Sequence, residues 1–369
     1  MSREWLILQF LLYGSMAMSS LLSQFFAMEG LTKTQIGILM AIPPLSSLYA
    51  NPINFAIATR LGRVSWLKRV VILCGVFFFA LYFFESFLLR LLGMVSFAFF
   101  FSAITPLSES VMVDAAHRAR KDYGKVRFLG TLGFSVTAVF MSFLVRIHFL
   151  FVFVTFLVYT TLLYLVLRNV DEVEVEKDGE ESKGNTVPRF FWLILPVVTF
   201  GIVANSFNFI FLPVLMEERK YDVSLASVAL SLMAITEVFF LFNSEKLIKK
   251  LGISFLLSSS IFVIGLRNLL VSFTERPSTL LMVQLLQGWT YIVIYYSVIT
   301  LTRDFGRARI KAQKYFWMAM GVGPFFGSLL GGLLSERIGL LNTYRLFGVV
   351  PMIVSFLNYH LLVRLEGGR

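Results

Sequence analysis

The sequence holds one cysteine, three histidines and few charges: of its 369 residues only 15% are Asp, Glu, Lys or Arg. Cys74 lies inside an apolar run, which excludes a disulfide framework and a thiolate metal site. His117, His148 and His360 are scattered, so no histidine metal cluster is expected. A P-loop, a dinucleotide fingerprint and an HExxH pair are all missing, and the serines lack a nearby base. An enzyme is therefore not expected, and neither is a cofactor. No basic cluster precedes the first apolar run, which is long enough to span a bilayer, so a cleaved leader is not expected. With 57% hydrophobic residues and 40 phenylalanines, the chain has too little polar surface for a water-soluble protein of its size. Its solvent is lipid. The formal net charge of +11 then matters through its distribution along the loops, and no nucleic-acid partner is expected.

A membrane-spanning helix needs about 20 mostly apolar residues. Twelve runs qualify: Trp5–Met28, Thr34–Thr59, Leu67–Phe87, Leu91–Ala116, Gly124–Val145, Phe149–Leu167, Phe190–Met216, Ser224–Ile248, Ile253–Phe273, Thr279–Thr302, Ala312–Leu334 and Tyr344–Val363. Irregular backbone cannot face lipid, so these runs are read as helices. The connections are short, which makes sequential helices antiparallel neighbours. Placing the N-terminus in the cytoplasm puts Arg60, Arg63, Lys68 and Arg69, and later Arg118, Arg120 and Lys121, on that side. Isolated cations such as Lys33, Arg90 and Arg146 fall opposite, a bias of about three to one. Both termini are thus expected in the cytoplasm.

The one long polar stretch is the acidic segment 169–189, read as a solvated linker or, less simply, a partner site. It divides the chain into bundles 1–168 and 190–369. Two such six-helix halves fit a pseudo-symmetric transporter with its site near the middle of the membrane.

Ionisable residues inside lipid-length helices are costly and mark a pathway or binding site. Glu109 and Arg127 lie in consecutive runs with Arg118 midway between them, so antiparallel helices would set them at one depth. Glu237 and Arg267 stand in the same relation about Gly252. Each pair reads either as a fixed ion pair or as functional, and Glu237 also as a misplaced helix end. A buried ion pair is a weak stability device because desolvation offsets attraction, which favours function. A carboxylate facing a guanidinium can hold solute hydroxyls or a carboxylate. Glu237 can also exchange a proton against Arg267. Asn205 and Asn208 lie in the seventh run, and Gln284 and Gln287 in the tenth, level with Arg267. Trp289, Tyr291, Tyr295 and Tyr296 in that tenth run read as packed or as solute-stacking. Gly323, Gly327 and Gly331, spaced by four, read as a close-packing face.

The segments GLTKTQIG (Gly30–Gly37), Pro106–Glu109, YGKVRFLGTLGF (Tyr123–Phe134) and Gln313–Gly339 resemble the major facilitator superfamily. Within it the resemblance points to the branch that holds lactose permease, nucleoside–proton symporters and phenylpropionate-permease-like proteins. It covers nearly the whole chain. It implies an all-α fold of twelve transmembrane helices in two six-helix bundles, in a cell inner membrane. It further implies a secondary transporter of a small organic solute (sugar, nucleoside or aromatic acid), working by alternating access with protons as the coupling ion. An uncoupled facilitator, a drug/proton antiporter and a non-transporting receptor are the alternatives. Glu109 and Arg127 fall on the sugar-holding pair of lactose permease, and Phe134 falls where that permease stacks a tryptophan. Glu237 and Arg267 are similar to its coupling pair. The chain departs from the branch at Thr59–Arg60, where Asp-Arg is usual, at Gln287, where a histidine is common, and at Thr290, where lactose permease carries a proton-binding glutamate. Membrane lipid is the remaining expected partner, and a monomer is expected.

Overall fold

The computed structural model describes residues 3–118, 123–170, 172, 186–303 and 305–367, with backbone alone at 3, 113–118, 123–128, 307, 310 and 361–367. Among these residues there is no strand. Among the described residues twelve helices are long and apolar enough to cross a membrane. The first six are α1 (Glu4–Met28), α2 (Lys33–Leu61), α3 (Arg63–Phe83), α4 (Phe87–Met112), α5 (Leu129–Ile147) and α6 (Leu150–Arg168). The other six are α7 (Arg189–Glu218), α8 (Leu225–Leu251), α9 (Ile253–Phe273), α10 (Pro277–Arg303), α11 (Lys311–Ile338) and α12 (Leu340–His360). Large apolar side chains stand bare on helix faces: Phe239 and Phe242 are each 73% exposed. Such surface suits lipid and would drive association in water.

Most helix ends fall within about a turn of the expected ones. Two early starts share a cause, a glycine with positive φ just before the helix, Gly62 in one case and Gly339 in the other. α3 begins at Arg63, not Leu67, and α12 at Leu340, not Tyr344. Gly62 has φ 92° and reverses the chain in one residue, which L side chains rarely permit. The helix therefore restarts at once, and its basic first turn, assigned to a loop by hydropathy, is helical. Glu172 of the acidic segment caps that turn: its carboxylate accepts from Val64 N at 2.9 Å and Ser65 N at 3.1 Å.

The chain forms two compact units. The first comprises 1–31, 38–177 and 216–231. Its centre is a phenylalanine cluster, with Phe78 and Phe156 stacked at 3.9 Å between ring centres and Phe25 edge-on to Phe153 at 4.8 Å. Buried Arg90 donates to Glu29 Oε2 at 2.6 Å and to Phe84 O at 2.6 Å. Segment 216–231 is held by Gln24 Nε2 donating to Val223 O at 2.9 Å and by Arg146 paired with Asp222 at 3.1 Å. The Ser224 hydroxyl and backbone N–H, with Arg146 adding to them, hold the Asp222 carboxyl below its ordinary range.

The second unit comprises 32–37, 178–215 and 232–369. Here α11 lays its glycines on α7. A Cβ at Gly327 would lie 2.6 Å from Val203 O, and one at Gly331 would meet the Phe207 ring. The spacing by four thus marks a packing face, and that face fixes the stretch of α7 bearing Asn205 and Asn208. Gly327→Ala is expected to lower the stability of the detergent-solubilised protein by about 1–3 kcal/mol through overpacking. A thermal-melting series with an exposed alanine substitution as control checks this.

Candidate functional site

Four helices of the second unit converge on one buried polar network. Arg267 of α9 is wholly buried, as are Asn208 of α7 and Gln284 of α10. Asn205 and Gln287 are nearly so, and Glu237 of α8 is half-buried. Gln287 stands between the two charges. Its Nε2 donates to Glu237 Oε1 at 2.7 Å, and its Oε1 accepts from Arg267 Nη1. Arg267 Nη2 donates to Asn205 Oδ1 at 2.9 Å. One turn away, Asn208 Nδ2 donates to Gln284 Oε1 at 3.2 Å. The fixed ion pair weighed for Glu237 and Arg267 is therefore replaced by a carboxylate–carboxamide–guanidinium chain. A direct contact is unnecessary because the amide satisfies an acceptor on one side and a donor on the other. Arg267 Nε and Asn208 Oδ1 have no hydrogen-bond partner among the described residues.

The network depends on a break in α10. Residues Pro277–Gln284 form an α-helix, Leu285–Trp289 a 3-10 turn, and Tyr291–Arg303 a second α-helix. At Thr290 (φ −117°, ψ −108°) the chain leaves helical geometry. Thr290 N and Oγ1 both donate to Gln287 O, at 3.1 and 2.7 Å, which satisfies a carbonyl that the lost helical ladder frees. A 3-10 stretch inside a helix marks a hinge or a strained sequence, and discontinuous membrane helices line binding sites. Gly288 lies in the break: a Cβ there would lie 2.5 Å from Thr236 O, so only glycine lets α10 touch the α8 backbone beside Glu237. The aromatic rings flanking the break pack. Trp289 lies edge-on to Phe240 at 5.8 Å and donates Nε1 to Ser259 Oγ at 3.0 Å, Tyr296 also meets Phe240, and Tyr295 meets Phe316 and Trp317.

In the first unit Glu109 of α4 is half-buried and accepts from Tyr13 Oη of α1 at 3.1 Å. The Tyr13 ring lies over Gly130 of α5, where a Cβ would be 2.7 Å from it. Phe134 is half-buried one turn further along α5. The Arg127 side chain lies outside the described residues, so the expected pairing of Glu109 with Arg127 does too. Two features were missed in the sequence. Tyr13 reads there as one more aromatic in an apolar run, its only signal being the glycine that faces it from α5. The break in α10 has Gly288 as its only local sign.

A family model described as the "MFS_1 like family" matches residues 5–346. Similar relatives include the "Uncharacterized transporter YwbF" of Bacillus subtilis (strain 168), 23% identical over 96% of this chain and 91% of that protein. The "Maltose permease" of Geobacillus stearothermophilus is 25% identical over 95% of this chain and 91% of that one. Among solved structures, that of the nucleoside transporter NupG superposes with a TM-score of 0.77 at 15% identity, covering 97% of each chain.

Proposed function

Since the chain belongs to the MFS_1 like family, and is a multi-pass membrane transporter rather than an enzyme, we propose that it is a secondary transporter coupling a small organic solute to protons in symport. Bundles 1–168 and 190–369 would be joined by the acidic linker 169–189 and work by alternating access, with both termini in the cytoplasm. The observation that carries this reading is the Glu237–Gln287–Arg267 chain beside a broken helix. The carboxylate there is tied to a buried guanidinium through a neutral bridge. Protonating it removes a charge that Arg267 otherwise feels at short range.

The charges of this network cancel, and most of its other members are carboxamides: Asn205, Asn208, Gln284 and Gln287. Carboxamides offer paired donors and acceptors, which suits hydroxyls and nucleobase edges. That supports a sugar or a nucleoside ahead of an aromatic acid, in line with the names of the maltose and nucleoside relatives. Glu109 with Tyr13, Phe134 and Arg127 would hold the solute from the first bundle.

The test is uptake into proteoliposomes under an imposed inward proton gradient, after a thermal-shift screen of sugars, nucleosides and aromatic acids has chosen the solute. Accumulation above the external concentration, collapsed by an uncoupler, is expected. Equilibration without accumulation would instead make the protein a facilitator.

A further inference from the structure

The face of α8 turned away from the core of its unit changes from apolar to basic along its length. On the inward side Phe240, Leu247, Ile248 and Leu251 pack with Leu256 of α9 and Val293 of α10. On the opposite side Ile235, Phe239 and Phe242 are exposed, and so are Lys246, Lys249 and Lys250. At about 3.6 residues per turn these six side chains share an arc of about 100°. They are also sorted along the axis, with the three apolar residues first and the three lysines last. At about 1.5 Å rise per residue Lys246 stands about 31 Å from the start of α8, and a bilayer's hydrocarbon core is about 30 Å thick. The exposed rings therefore lie at acyl-chain depth and the lysines at the headgroups of one leaflet.

We propose that this stripe binds an anionic phospholipid, with an acyl chain along Ile235, Phe239 and Phe242 and the headgroup phosphate held by Lys246, Lys249 and Lys250. Neither half of the stripe selects that ligand alone. Exposed apolar side chains accept any acyl chain, and exposed lysines attract any anion. Joined at this spacing, they fit a molecule with a hydrocarbon tail and a net negative head. A zwitterionic headgroup carries its own cation and gains little from three more. Lysine suits the task because its stem lies along apolar surface while the ammonium reaches the headgroup layer. Among the described residues these three ammonium groups take part in no hydrogen bond or ion pair, so their charge is not spent inside the protein. Glu245 is the one acid in the last two turns of α8, and it projects about a quarter-turn to the side of the stripe. The exposed stripe of α5 makes the contrast. Val136, Phe140 and Phe143 are bare there too, but the cation beyond them, Arg146, is paired with Asp222 at 3.1 Å.

The experiment equilibrates the full-length protein with mixed micelles of phosphatidylglycerol and phosphatidylcholine of the same chain length, and counts the lipids retained by native mass spectrometry. Wild type should retain phosphatidylglycerol in preference. A lysine near an anionic surface is worth about fivefold, so the triple variant Lys246→Gln, Lys249→Gln, Lys250→Gln should lose that preference by about tenfold or more. Phe239→Ala with Phe242→Ala should lower retention of both lipids and leave the preference between them. Lys311→Gln with Lys314→Gln, which removes two exposed cations from α11, should change neither. If the triple variant fails to fold, Lys246→Gln and Lys249→Gln decide singly, each with a loss of about fivefold. An undiminished preference in the lysine variants would overturn the site. An equal loss in the α11 variant would also overturn it, by showing diffuse surface charge. Displacement of the retained lipid by an equal concentration of glycerol phosphate would overturn the lipid as occupant in favour of a free phosphate.

Discussion

Arg267→Leu is expected to reduce solute uptake by at least about a hundredfold. The guanidinium is wholly buried in α9 and gives its two Nη groups to Gln287 and Asn205. Hydrogen bonds to charged groups contribute about 1.5–3 kcal/mol each, and removing one partner of a buried charge pair costs about 3–5 kcal/mol. At about 1.4 kcal/mol per factor of ten, two such bonds are worth two orders of magnitude or more. The loss comes in two parts that can be separated. Leucine leaves Glu237 as a carboxylate with no cation, and leaves two amide oxygens without donors. Arg267→Leu combined with Glu237→Gln removes the uncompensated charge. That double variant should recover most of the thermal stability lost by the single one and none of the accumulation. Arg267→Lys keeps the charge but not the fork that serves two acceptors in fixed directions, so intermediate uptake is expected. Melting temperatures and uptake rates on the same preparations separate these effects.

Glu237→Gln is expected to abolish accumulation against a gradient while leaving solute exchange within a few-fold of wild type. Glutamine keeps the size of the side chain and an oxygen that can accept from Gln287 Nε2, so the network should persist. It cannot take up a proton. Exchange of solute for solute needs no net proton movement, whereas accumulation draws its free energy from the proton gradient. A variant that exchanges but does not accumulate separates coupling from binding. General damage to the site would lower both.

How far the sequence reaches into this site follows from what each feature depends on. The spanning helices depend on composition alone: a run of about 20 apolar residues has no other way to satisfy its backbone in lipid. Gly252, with φ 77°, forms the turn between α8 and α9. Because Glu237 and Arg267 lie equally far from it, their shared depth is a matter of counting. The glycines of α11 are legible for a similar reason, since a spacing of four puts them on one face. What three helices make together is not written in any one of them. Gln287, in the broken stretch of α10, joins α8 to α9. Beside the break Gly288 lies close against Thr236 O, a contact between segments distant in sequence. Tyr13 was hidden by its own chemistry, since a tyrosine among phenylalanines reads as packing until its hydroxyl is seen to donate to Glu109.

The measurement that bears most directly on Glu237 as the point of proton entry is the external pH of lightly buffered proteoliposomes when solute is added. Wild type should turn the medium alkaline as solute enters, and Glu237→Gln should leave it flat while still exchanging labelled solute. An alkaline shift of wild-type size from Glu237→Gln would place the proton elsewhere and contradict the account.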